Sequence, residues 1–149
     1  LAITLTNYFK DALLTNELAA SGAGTLYGAR VALRTDGVSP NADMVFADIT
    51  QPISSSYAIQ TITWDGPSDR VDGSFESVSQ LLTYQFADAL ANPNTITGYV
   101  VLGATSSNHV LWGENLPTPV GLNDPTDALR MAVNICYGSG DYGEVSVLS

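Results

Sequence analysis

Leu129, Met131, Val133, Ile135 and Tyr137 occupy every second position of one uninterrupted run. A period of two places those five side chains on one face of an extended chain and leaves the other face for smaller or polar residues, so the run predicts a long half-buried β-strand. A strand of that length needs paired neighbours, and the sequence supplies them. From Thr25 the same period sets Tyr27, Ala29, Val31 and Leu33 on one face, with Arg30 and Arg34 on the other. Residues 96–102 and 110–112 are β-rich runs on either side of a small, polar segment, which is the pattern of a hairpin. Weaker strand patterns cover residues 44–49, 57–64 and 75–86. Turn chemistry punctuates them at Asp36-Gly37, Asp65-Gly66-Pro67, Asn92-Pro93 and residues 121–127.

One segment departs from this rhythm. Thr6 is suited to an N-cap, and Phe9, Ala12, Leu13 and Ala20 recur at near-helical spacing before Ser21-Gly22. The predicted fold class is therefore mainly β: an antiparallel β-sandwich or flattened barrel with one N-terminal α-helix. The chain reads as a single domain, residues 1–149, carrying a short N-terminal arm (1–5) and a C-terminal arm (144–149). The second arm follows a stretch, residues 138–143, that holds three glycines.

Composition narrows the function classes. Fifteen acidic residues against five basic ones leave a net charge of −10, which repels a phosphate backbone, so nucleic acid is not an expected partner. No run approaches the roughly 18 apolar residues of a membrane-spanning helix, and no membrane partner is expected. Only 13% of residues are charged while 45% are hydrophobic. That balance suits a subunit whose surface is largely covered by neighbours; a weakly charged secreted β domain is the alternative. Leu1 in place of an initiating methionine points to processing or to a boundary set in another way.

Chemistry-bearing residues are sparse. Cys136 is the sole cysteine and reads as a small buried hydrophobe rather than a reactive thiol. His109, the sole histidine, sits beside the hairpin turn with no nucleophile motif or metal pair around it. Asp65, Asp69 and Asp72 share a loop that could wrap a hard cation, but their spacing is wrong for an EF-hand and Arg70 competes for them, so a solvated turn is the preferred reading. Asn123, Asp124 and Asp127 form a second polar cluster of ordinary turn type. No catalytic residue, metal site or cofactor is expected, and the chain reads as non-enzymatic. Tyrosines and Trp112 could stack on sugar rings, which keeps a carbohydrate-binding β-sandwich adhesion module, with a surface glycan as partner, as the alternative function.

Two groups of residues carry a family likeness. Residues 5–14 with Thr25-Leu26-Tyr27 and Val31-Ala32-Leu33 open the chain. Ile96-Thr97-Gly98-Tyr99, Leu111-Trp112-Gly113-Glu114, Pro117-Thr118-Pro119-Val120 and Asp127-Ala128-Leu129-Arg130-Met131 follow in order in its far half. Together they resemble small phage tail-fibre-like or tail-associated structural proteins, over both outer thirds of the chain; residues 40–94 depart from the pattern. The resemblance implies a role in a particle or fibre, extracellular or virion-associated, with no chemistry to transfer. The leading expectation is a structural protomer that assembles with copies of itself into a helical filament, tube or phage-tail-like fibre. Its candidate contacts are the arm residues Leu1, Ile3, Leu5, Val145, Val147 and Leu148, which could add as strands to a neighbour's open sheet edge.

Overall fold

A computed structural model of the chain describes residues 4–6, 28–63, 68–69, 75–103, 108–137 and 147–148. They form ten strands in two antiparallel sheets: β1 (Thr4–Leu5), β2 (Arg30–Arg34), β3 (Gln60–Thr61), β4 (Ser68–Asp69), β5 (Phe75–Val78), β6 (Leu82–Gln85), β7 (Asn94–Leu102), β8 (Val110–Leu122), β9 (Ala128–Tyr137) and β10 (Val147–Leu148). The first sheet runs in the order β1-β8-β7-β2-β3 and the second in the order β10-β9-β5-β4, with β6 also paired to β9.

The predicted fold class is corrected in two respects. Among the described residues neither sheet closes on itself, so they form no barrel. Among the described residues the helical element is a three-residue 3-10 turn, Phe46–Asp48, and none reaches seven residues. The segment 7–20, expected to be helical, lies outside the described residues. What stands is a mainly β fold of two sheets that share one core.

That core follows from alternation. Val31 and Leu33 of β2, with Tyr99 and Val101 of β7, face Leu82 and Tyr84 of β6 and Leu129, Met131 and Val133 of β9, and all are buried. Each such side chain removed from water contributes about 1.5–3 kcal/mol. The Tyr84 hydroxyl reaches across the core to donate to the Val31 carbonyl at 2.9 Å, so the one polar atom on that ring is satisfied.

The opposite face of the first sheet is covered too. Ala32, Val100, Leu102 and Val110 form a second buried cluster with Met44, roofed by Phe46, Ile49 and Ile59 from residues 35–59. Burial on both faces explains why Tyr99-Val100-Val101-Leu102 is apolar without alternation. It also explains why residues 44–49, expected as a strand, form a turn instead: Met44, Phe46 and Ile49 pack onto the sheet as a lid, while Val45 stays exposed. The Asp48 carboxylate holds the turn by accepting the Val45 amide at 3.0 Å.

Two irregularities shape the sheets. Between Ile96 and Gly98 the β7–β8 register jumps from Val120 to Asn115, which sets Leu116, Pro117, Thr118 and Pro119 outside the ladder. Proline has no amide to donate, so such an excursion is where two of them fit. Beside it, a Cβ on Gly98 would collide with the Glu114 carbonyl and lie 3.2 Å from the Asn115 Cα, so glycine is what allows the strands to close here. In the second sheet the expected strand over residues 75–86 is split. Ser79 bridges the gap: its amide donates to the Val133 carbonyl at 2.7 Å and its hydroxyl accepts the Val133 amide at 2.8 Å.

Candidate functional site

Three residues of β7 and β8, Tyr99, Trp112 and Glu114, meet on one buried face of the first sheet. Tyr99 stands on β7 directly opposite Glu114 on β8, with Trp112 two positions earlier on the same face. All three are buried, Tyr99 and Trp112 fully and Glu114 to 3% exposure. The Tyr99 hydroxyl donates to Glu114 Oε2 at 2.6 Å. Burial pushes the Glu114 carboxyl above its usual range, and the Tyr99 hydroxyl offsets this only in part. Burial likewise raises the Tyr99 phenol, with the nearby Glu114 charge adding to it. The neighbouring Trp112 side chain acts in the opposite sense to burial, lowering the Tyr99 phenol. Glu114 Oε1 is buried and accepts no hydrogen bond from the described residues.

A second cluster centres on Arg34, whose side chain is completely buried beneath the lid. Its guanidinium donates to Asp36 Oδ1 at 2.5 Å, to Asn115 Oδ1 at 3.1 Å and to the Val38 carbonyl. Asp36 in turn accepts the Val38 amide at 3.0 Å and the Thr50 amide at 2.7 Å. Burial alone would raise the Asp36 carboxyl, but the Arg34 hydrogen bond, the two amides and the Arg34 charge outweigh it and bring it below 3.8. This cluster pins the lid to the end of β2.

The third cluster clamps two loops at the surface. Asp88 accepts the Ser54 hydroxyl at 2.5 Å, the Ser55 amide at 2.9 Å and the Asn92 amide nitrogen at 3.0 Å, and these donors hold its carboxyl well below the usual range. Asn94 ties the same loop by accepting from the Ile53 amide at 2.8 Å and donating to the Ile53 carbonyl at 3.0 Å. Two apolar side chains flank this clamp and point into solvent: Ile53 and Leu90, each 73% exposed.

The other sequence candidates fall in separate places. His109 is exposed where the β7–β8 hairpin closes, and its carbonyl accepts the Gly103 amide at 2.9 Å. Asn108 beside it adopts φ 47°, a left-handed conformation that asparagine tolerates, and its side chain accepts from Arg30 at 3.2 Å. Asp65, Arg70 and Asp72 lie outside the described residues, and Asp69 ends β4. Among the described residues no three His, Cys, Asp or Glu side chains are grouped to hold a metal ion. Asp127 accepts the Asn123 and Asp124 amides, both at 2.9 Å, and Asp124 accepts from Thr126, so this cluster is spent on the β8–β9 turn. Cys136 lies in β9 opposite Glu76. Of the arm candidates, Leu5 pairs with Trp112 of β8, while Val147 and Leu148 pair with Val133 and Ala132 of β9, all within the chain. Leu1, Ile3 and Val145 lie outside the described residues.

No protein-family model, curated protein or solved structure matches this chain. Its function is therefore argued from the clusters themselves. Sequence reading missed the roles of Arg34, Asp36 and Asp88. The available signals were short-range ones: an arginine two residues before an Asp-Gly turn, and an aspartate four residues before Asn92 in a loop.

Proposed function

We propose that this chain is a non-enzymatic β module that acts through its surface, as a structural building block of a protein particle or fibre assembled from copies of itself. The observation that carries this reading is the pairing of a rigid polar clamp with the outward apolar side chains Ile53 and Leu90. Exposed apolar side chains on either side of one clamp are candidates for cover by another surface. The acidic groups Asp36, Asp88, Asp124 and Asp127 support the same reading, because each is engaged in fixing a loop rather than poised around a cleft. The likeness to tail-fibre-like proteins points the same way.

One observation favours the second reading, a carbohydrate-binding adhesion module. β1 and β10 pair within their own chain, so the two sheets need no arm from another copy. Under the first reading, contacts through loops and sheet faces are then favoured over exchanged arms. Against stacking on sugar, Trp112, Tyr99 and Tyr84 are buried and offer no ring to a ligand.

The paired substitution Ile53→Ser and Leu90→Ser tests the leading reading. Both side chains are mostly in solvent, so thermal stability should change by about 0.5 kcal/mol or less. Sedimentation velocity should show loss of the assembled species. Unchanged sedimentation of a normally folded double variant would count against contact through this end.

A further inference from the structure

We infer that the outer face of the second sheet, centred on Arg130, is the surface on which a second copy of this chain docks its Asp88 clamp, with Ile53 and Leu90 on either side. The inference rests on the building-block reading and gives it a defined contact. The two sheets differ in cover. The outer face of the first lies beneath the lid of residues 35–59. In the second, alternation sends Leu82, Tyr84, Leu129 and Met131 into the core and leaves Thr83, Gln85, Ala128 and Arg130 exposed on the other side. Thr83 and Arg130 are partners across the β6–β9 ladder, and Leu81, just before β6, is 61% exposed.

Charge selects the occupant. The chain carries 15 acidic residues against 5 basic ones. Lys10 and Arg70 lie outside the described residues, Arg34 is buried on Asp36, and Arg30 donates to the Gly103 carbonyl and to Asn108. Among the described arginines, Arg130 is the one that is exposed and makes no side-chain hydrogen bond or ion pair within its own chain. Its neighbours on the ladder, Thr83, Gln85 and Ala128, carry no charge. An acidic surface complements it, and another copy supplies one. Asp88 Oδ2 accepts the Ser55 amide, the Ser55 hydroxyl and the Asn92 amide nitrogen, whereas Oδ1 accepts the Ser54 hydroxyl alone and keeps a lone pair for a guanidinium. Asp88 is also the carboxylate flanked by Ile53 and Leu90, the large apolar side chains most exposed among the described residues, and these match Leu81 on the receiving face. An exposed ion pair sets register more than affinity, so the apolar contact supplies the adhesion. Because the two surfaces differ, the contact runs head to tail and repeats from copy to copy. Each copy still carries a net charge of −10, so salt relieves more repulsion overall than it weakens in this one pair.

Complementation between two defective copies tests this by sedimentation velocity. Arg130→Glu spoils the receiving face and keeps the clamp; the Ile53→Ser, Leu90→Ser double variant spoils the clamp end and keeps the face. Each alone should melt like the unsubstituted chain and sediment as a monomer. Mixed in equal amounts they should form a dimer that grows no further, since one sound end meets one sound face. The milder Arg130→Gln should reduce the assembled fraction without abolishing it. Either Arg130 variant assembling as the unsubstituted chain does, or a mixture that stays monomeric, would overturn this contact while leaving the building-block reading in place. An unsubstituted chain that stays monomeric would overturn both.

Discussion

Replacing Asp36 with alanine should cost about 3–5 kcal/mol, the range expected when one partner of a buried ion pair is removed and the other charge stays behind. Arg34 is completely buried and Asp36 provides its carboxylate. Without it the guanidinium keeps Asn115 and the Val38 carbonyl as acceptors, neither of them charged. The same change also orphans the Val38 and Thr50 amides, so the lid loses its anchor together with its charge balance. For a chain of this length each kcal/mol lowers the melting midpoint by about 2–4 °C, so the shift is on the order of 10 °C. The converse change, Arg34→Met, should cost less, because Asp36 lies nearer the surface and can hydrate while methionine fills the guanidinium's place. Thermal melts of both variants check the ranking; Arg34→Met falling further than Asp36→Ala would refute it. Asp36 titrates below its ordinary value, so its contribution is present above about pH 4 and is lost as pH falls through the lower folded value. The gap between Asp36→Ala and the unsubstituted chain should close in acid.

Trp112→Ala should cost a similar amount, about 3–5 kcal/mol, for a different reason. The indole is fully buried in the shared core, and removing it opens a cavity among Tyr99, Leu111 and their neighbours. This variant separates a core tryptophan from one that meets a sugar. Urea melts should show the loss, with contacts between copies intact under conditions where the variant is folded. A Trp112→Ala protein that melted like its parent yet lost binding to an oligosaccharide would contradict the assignment.

Alternation makes β2 and β9 legible, because one face of each packs on the shared core and the period of two survives in the residues, while the β7–β8 hairpin is legible from two β-rich runs around a small, polar segment. Alternation fails where a second layer intervenes. Arg34 was placed on the face opposite Val31 and Leu33, which is where it lies, yet nothing in strand periodicity announces that residues 35–59 fold over that face and bury it. Residues 44–49 have strand-like apolar content for the same reason: Met44, Phe46 and Ile49 answer to the sheet beneath them, not to a paired neighbour. The run 75–86 is broken by Ser79, whose side chain replaces a backbone partner, a local substitution that composition does not reveal. For the site, Tyr99, Trp112 and Glu114 were visible as pieces of a likeness. Their meeting on one buried face depends on the β7–β8 register, which the jump at Gly98 resets. Ile53 and Leu90 gave no signal, since a single apolar residue in a polar loop is unremarked until its exposure and its clamp are known.

The proposed role is that of a building block that assembles with copies of itself. Negative-stain microscopy of the purified chain over rising protein concentration tests it most directly. With 15 carboxylates against 5 basic groups on each copy, moderate salt or mild acid should promote association by screening or neutralising repulsion. The account predicts regular particles or fibres that become more numerous under those conditions. A field of separate small particles at every concentration, salt and pH, from a chain that binds an oligosaccharide, would contradict it and leave the adhesion module standing.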